Sequence, residues 1–165
     1  MGQAIEAVAD AGPLIHLHEI NAIDLLKVFS IVHIPERVGD EVRATIHTDL
    51  YEQVGISRKH RVGRNNLAAF VQQNHLSGLH AGELAALYLC RSLPVATLLT
   101  DDLAVRHQAK NLGITPVGSL GIVVRAYHLE HLSRESAVSS IQALQDISSL
   151  FVTPAIVTLA IEQLN

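Results

Sequence analysis

The sequence predicts an α/β domain built on a central parallel sheet with helices on both faces. Two observations carry this. Short apolar runs alternate with amphipathic stretches of helical period along the whole chain. No internal repeat or low-complexity linker interrupts the alternation. Strands that are separated by helices return in the same direction, because a parallel neighbour needs a crossover of a dozen or more residues.

The elements follow in order. Ile5 to Ala9 reads as a short buried strand, apart from Glu6. It runs into Asp10-Ala11-Gly12-Pro13, where Asp10 can cap a helix and Pro13 can open it. Leu14 to Val28 predicts one or two helices, and Ser30 to Ile34 a second strand. Pro35 opens a third helix that runs to about Thr48. Residues 49–63 are polar and poor in periodicity, and they hold Arg58-Lys59-His60-Arg61 just before Arg64. Helices are predicted over Asn65 to Asn74 and His80 to Ser92. Val95 to Leu99 is the clearest strand, followed by Thr100-Asp101-Asp102 and a helix to Leu112. Gly113 suits the position after a helix end. Ile114 to Val117 is a last strand and Leu120 to His128 a helix. Two amphipathic tail stretches, Ser133 to Gln145 and Pro154 to Leu164, complete the domain, with Ser133 as a cap and Glu135 in the first turn.

Composition narrows the class. A chain of 165 residues suits one domain, 1–165, with a single core. With 48% hydrophobic and 17% charged residues it is a folding sequence and not a disordered one. Its apolar runs fall far short of the roughly 20 residues that span a bilayer. No basic segment followed by an apolar stretch stands at the N-terminus, so neither a membrane partner nor a secretory signal is expected. The single cysteine, Cys90, excludes an internal disulfide, and the expected location is cytoplasmic. A net charge of −4 argues against nucleic-acid binding by bulk positive charge. Acids that converge on one site weaken that objection, since bound metal would neutralise them locally. The ten histidines are scattered. His16 and His18 point in different directions on a helix. His128 and His131 could share a face, but no third ligand lies nearby in sequence, so the histidines read as surface or hydrogen-bonded residues.

Acids stand where such a sheet binds ligands, beyond the carboxyl ends of its strands. Asp10 ends the first strand, and Asp101 and Asp102 follow the strand ending at Leu99. Each could also be a plain helix cap. Helical phase adds two glutamates. At about 100° per residue, Glu41 falls beside the arc of Val38, Val42 and Thr45, whereas Asp40 falls on the far side. Glu83 falls within the arc of Leu87, Cys90 and Ala86, in the middle of an apolar face. A glutamate buried alone is costly unless it takes a proton or a partner. Phase does not separate Asp101 from Asp102.

These residues carry a resemblance. Val8-Ala9-Asp10-Ala11-Gly12-Pro13-Leu14-Ile15 resembles the opening of PIN domains, a strand ending in the first metal-binding aspartate. Ile34-Pro35-Glu36-Arg37-Val38 with Glu41 is similar to the second motif, and Gly82-Glu83-Leu84-Ala85-Ala86 to the third, in a branch that writes it Gly-Glu-Ala. Leu98-Leu99-Thr100-Asp101-Asp102 resembles the fourth, whose usual ligand lies two residues after threonine and so falls on Asp102. The likeness continues through Gly113-Ile114 and Val117-Gly118-Ser119-Leu120-Gly121 and covers nearly the whole chain. The sequence departs at Gly12, where many PIN domains have Ser or Thr, and at Glu83, where many toxins have Asp.

The resemblance implies a three-layer fold and a metal-dependent ribonuclease, in the manner of VapC-like toxins of toxin–antitoxin pairs. It implies one or two Mg²⁺ or Mn²⁺ ions, single-stranded RNA as substrate, a small antitoxin partner and a homodimer. Asp10, Glu83 and Asp102 are the expected metal ligands, and Glu41 is expected to serve a second ion. Asp101 is a secondary candidate as a supporting acid or helix cap, and Thr100 as a group that orients Asp102 or a phosphate. Arg58, Lys59, Arg61 and Arg64 are the expected phosphate contacts.

Other classes fit less well. Haloacid hydrolases need Asp-x-Asp after the first strand, and Gly12 stands at that position. Receiver domains need paired acids there, and Asp10 stands alone. A dinucleotide-binding domain needs Gly-x-Gly-x-x-Gly after the first strand, which is missing. A binding module that keeps the fold without catalysis has four acids against it.

Overall fold

The computed structural model describes residues 4–165. Five strands form one parallel sheet: β1 (Glu6–Ala9), β2 (Ile31–Pro35), β3 (Ser57–His60), β4 (Thr97–Leu99) and β5 (Thr115–Val117). Their order is β3-β2-β1-β4-β5, so β1 lies at the centre, with Val8 opposite His33 of β2 and Leu98 of β4. The chain builds outward from β1 to β3, then crosses back to lay β4 and β5 on the other side. That reversal opens a crevice at the carboxyl ends of β1 and β4, the place where doubly wound sheets bind ligands.

Helices cover both faces, as the alternation of strand and helix predicts. Side chains alternate across a strand, so each strand feeds two cores. Ala7, Ala9, Val32, Ile34 and Leu99 pack with Leu14 and Leu17 of α1 (Ala11–Glu19), Val38 and Val42 of α2 (Glu36–Ile46) and Ile122 of α7 (Ser119–His128). Val8 and Leu98 face the other way. They meet Phe70 of α4 (Arg64–Gln73), Ala86 and Leu87 of α5 (Ala81–Ser92) and Val105 of α6 (Leu103–Asn111). The tail helices α8 (Arg134–Asp146) and α9 (Pro154–Glu162) do not reach the sheet core. Their Ile141, Leu144 and Val157 pack against Val123 and Val124 of α7, which is thereby apolar on two sides.

Several boundaries differ from the sequence reading. The stretch from Leu14 to Val28 divides into α1 and a 3-10 turn at Ile23–Val28, separated by Asn21 in the left-handed region at φ 55°. The third helix stops at Ile46, because His47 turns left-handed at φ 55°. Residues 49–63, read as polar and aperiodic, contain the short helix α3 (Leu50–Gln53) and all of β3. An edge strand is where exposed Lys and Arg are favoured, since charge there discourages pairing with another chain. Ser-Arg-Lys-His therefore shows no apolar period although it pairs with β2 from Val32 to Pro35. Buried His33 ties the three strands on that side. Its Nε2 lies 2.8 Å from Glu6 Oε2, and its Nδ1 lies 2.8 Å from His60 Nε2. No described helix is long and apolar enough to cross a membrane.

Candidate active site

Asp10 sits at the end of β1 and caps α1. Its Oδ1 accepts from Ala11 N at 2.8 Å and its Oδ2 from the Thr100 hydroxyl at 2.9 Å. It is only 5% exposed. Burial drives its carboxyl from 3.8 up to about 6; the bonds from Ala11 and Thr100 oppose the rise, and the charges of Glu83 and Glu41 add to it. The two glutamates, distant in sequence, thus lie close enough to act on Asp10. Thr100 is fully buried. Its N–H bonds Val117 O, its hydroxyl also accepts from Asp102 N at 3.3 Å, and its carbonyl accepts from Arg106 Nη1 at 3.1 Å.

Glu41 reaches the site across a helix–helix contact. It is exposed on α2, but its carboxylate passes over the first turn of α5. A methyl group on Gly82 would come 3.2 Å from Glu41 Oε2 and 3.4 Å from Val38 Cγ2. Gly82 therefore eases the close passage of the Glu41 carboxylate over the start of α5, next in sequence to Glu83.

Glu83 does not lie where helical phase puts it. It is partly exposed and is not in the middle of a buried face. The buried arc of α5 is Gly82, Ala85, Ala86, Leu87, Leu89 and Cys90. Glu83 is the third residue of the helix, where the end stays open to water, and its Oε2 accepts from His80 N at 2.7 Å. That is half of a capping box. The electrostatic link to Asp10 supports its place at the site independently of burial.

The two acids after β4 separate cleanly. Asp102 is the cap of α6, with Oδ1 accepting from Val105 N at 2.9 Å, and it is exposed. The cap role considered for Asp101 therefore belongs to Asp102. Asp101 points the other way and is 11% exposed. Its Oδ1 accepts from Ser119 N at 2.7 Å. Its Oδ2 lies 2.7 Å from His16 Nδ1 and accepts from Ser119 Oγ at 2.5 Å. His16, Ser119 and Arg106 are site components that sequence reasoning does not find. Gly12, a helical turn earlier, is no signal for His16, since a methyl there would meet His16 Cε1 at 3.5 Å, an ordinary contact.

The basic residues lie along the edge of the sheet. β3 is two strands from β1, roughly 10 Å at the usual spacing. Arg58, Lys59, Arg61 and Arg64 are all exposed. Arg58 Nη1 bonds Ser57 O, and Lys59 Nζ lies 3.4 Å from Glu36 Oε1 and 5.5 Å from the Tyr51 ring centre. The side chains of Arg61 and Arg64 make no hydrogen bond or ion pair with the described residues.

The donor set is all carboxylate oxygen, which suits a hard divalent cation. The Asp10 carboxyl is raised chiefly by burial, and Glu83 and Glu41 add like charge to the same crevice. Among the described residues no three His, Cys, Asp or Glu side chains are placed to hold an ion together, so the carboxylates would have to turn inward to share one. The residues fit a cation in kind and neighbourhood.

Comparison with known proteins agrees with the arrangement. No curated protein matches the chain. A family model described as "PIN domain" matches residues 6–165, from β1 through the tail helices. Proteins of that family are generally nucleases, and they generally use divalent metals. With the parallel five-stranded sheet and the acids gathered at its switch point, the match over nearly its whole length shows that this chain belongs to the PIN-domain family.

Proposed function

We propose that the chain is a metal-dependent endoribonuclease that hydrolyses phosphodiester bonds of single-stranded RNA. Asp10, Glu83 and Asp102 would hold Mg²⁺ or Mn²⁺, with Glu41 serving a second ion. The observation that carries this is the setting of Asp10: a carboxylate 5% exposed, held by the same Thr100 hydroxyl that receives Asp102 N, and raised to about 6 chiefly by burial and in smaller part by Glu83 and Glu41. A folded chain keeps such a concentration of negative charge where a cation offsets it. A bound divalent ion supplies an activated nucleophile and neutralises charge on the oxygens of the scissile phosphate.

The chain's own groups do the rest. Thr100 Oγ holds Asp10 Oδ2 and receives Asp102 N, so one hydroxyl fixes the spacing of the two strand-end acids. The amino ends of α1 and α6 lie at the same crevice, and the helix dipoles favour an anionic phosphate there. RNA, the substrate implied by the resemblance, is the substrate we adopt. The test is cleavage of a labelled single-stranded RNA by the purified chain. Strand scission with Mn²⁺ that EDTA stops is expected; no scission with either Mg²⁺ or Mn²⁺, by a chain that folds, would sink the reading.

Arg61 and Arg64 are the phosphate-binding groups we favour within the basic run, since Arg58 and Lys59 already have partners. Replacing both by Ala should weaken RNA binding and lower the slope of log K against log salt by about 0.7 for each phosphate that is no longer neutralised, the value for single strands. An unchanged slope counts against Arg61 and Arg64 as phosphate contacts.

We assign the chain to the VapC-like toxin branch on its Gly-Glu third motif and the four acids. The protein partner that this implies, a second copy or a small antitoxin, has apolar material to cover on the tail: Ile147, Phe151, Ile156 and Leu159 are 69%, 94%, 48% and 58% exposed.

A further inference from the structure

We infer that Asp101 is a positioning residue: with His16 and Ser119 it forms a clasp that sets the turn carrying Thr100 and Asp102, and it is not itself a metal ligand. The inference rests on the nuclease reading of the acid site and specifies how that site is kept in shape.

An ionised carboxylate has two oxygens and about four acceptor positions. On Asp101, Oδ2 already faces both His16 Nδ1 and Ser119 Oγ. Oδ1 receives Ser119 N, and the backbone of Gly118 closes over it: a methyl on Gly118 would come within 2.8 Å of that oxygen. Three of the four positions are thus taken, Gly118 crowds the fourth, and only 11% of the side chain meets solvent, which leaves little room for a metal. Asp102 is the opposite case, exposed and bonded through a single oxygen to Val105 N.

The clasp joins three elements. His16 comes from the middle of α1, Ser119 is the first residue of α7, and Asp101 lies between them on the β4–α6 turn. The amino end of α7 adds its dipole to the hold on the carboxylate. Asp101 stands between Thr100, whose hydroxyl holds Asp10, and Asp102, whose N–H returns to the same hydroxyl. Fixing Asp101 therefore fixes where both neighbours point. His16 and Ser119 act through it, and none of the three needs to touch metal or RNA. Groups that only orient ligands in this way characteristically change metal affinity by about 10–100-fold when removed.

The variants that test this leave every proposed ligand intact. Ser119→Ala removes one donor and keeps the helix N–H; His16→Ala removes another; His16→Gln restores a donor. Three quantities are read: Mn²⁺ affinity by calorimetry, hydrogen exchange of the Asp102 and Val105 amides in the metal-free chain, and kcat and KM for RNA. Ser119→Ala and His16→Ala should each weaken Mn²⁺ binding by about tenfold or more, speed exchange at both amides and lower kcat at low Mn²⁺ with little change in KM. His16→Gln should recover part of the loss. Asp101→Asn combined with Ser119→Ala should be no worse than Asp101→Asn alone, because the two belong to one unit. Wild-type affinity and exchange in Ser119→Ala and His16→Ala would overturn the proposal. So would loss of Mn²⁺ binding confined to Asp101→Asn, which would make Asp101 a ligand. Failure of the nuclease reading is visible separately, in a wild-type chain that takes up no Mn²⁺.

Discussion

Asp10→Asn should abolish Mn²⁺-dependent cleavage and, at neutral pH, make the chain more stable. The two effects share one cause. The amide has the shape of the carboxylate and can still accept from Ala11 N, while the Thr100 hydroxyl can rotate to suit it. What disappears is a buried negative charge. The Asp10 carboxyl is raised from 3.8 to about 6 by burial first, then by Glu83 and Glu41. Between those values the folded chain holds a proton that the unfolded chain releases, so stability falls as pH rises through the window. The favourable contribution is complete below about pH 4 and gone above about pH 6. At about 1.4 kcal/mol per pH unit, the displacement costs the charged form roughly 3 kcal/mol. The variant should therefore unfold some degrees higher than wild type at pH 7, and the gap should close as pH is lowered to 4. Added Mn²⁺ should reverse the order, since a ligand that binds only the folded state stabilises it by mass action and the variant has one metal-binding group fewer. Cleavage should fall by at least about 100-fold, the upper range for groups that merely orient a metal ligand. Melting curves at both pH values, with and without Mn²⁺, check the pair of effects. Undiminished cleavage would remove Asp10 from the mechanism, and a melting point lower than wild type at pH 7 would show that the carboxylate already has its compensation.

What the sequence can disclose depends on whether a feature is local. The strand of Ala7 to Ala9, the cap at Asp10 and the cap at Ser133 depend on neighbours within a few residues, and they appear where period and capping chemistry put them. β3 is illegible because an edge strand satisfies its backbone on one side only and bears charge by preference, which erases the apolar alternation. Phase misplaces Glu83 because angle around a helix says nothing of distance from its end. Glu83 has the right angle for burial but lies in the first turn, beside water. Glu41 is separated from Asp40 by phase, yet its passage over the start of α5 depends on α2 packing over Gly82, a contact between residues some forty positions apart. Asp101 and Asp102 flank opposite edges of the apolar arc of their helix, so phase does not choose between them. They are told apart only by Ser119 and His16, which the fold brings to one of them from distant positions in the chain.

Asp102 tests whether the fourth acid is more than a helix cap, and its two simplest replacements should diverge. As a cap it gives one oxygen to Val105 N at 2.9 Å; as a proposed ligand it needs its charge. Asn caps a helix about as well as Asp, whereas Ala costs about 1 kcal/mol. Asp102→Asn should therefore unfold near the wild-type temperature. Asp102→Ala should unfold a few degrees lower, about 2–4 °C for each kcal/mol in a chain of this size. Activity should not follow that ranking. Both variants lack the carboxylate, so both should lose roughly 100-fold or more in Mn²⁺-dependent cleavage, and both should need more Mn²⁺ to recover any. If Asp102 were only a cap, activity would track stability and Asp102→Asn would cleave like wild type. The same comparison guards against the alternative that Asp101 carries the charge. The clasp of His16 and Ser119 does not contact Asp102, so either replacement there should leave Asp101 seated. A dead, well-folded Asp102→Asn with its Ser119 amide still protected from exchange would assign the loss to Asp102 itself.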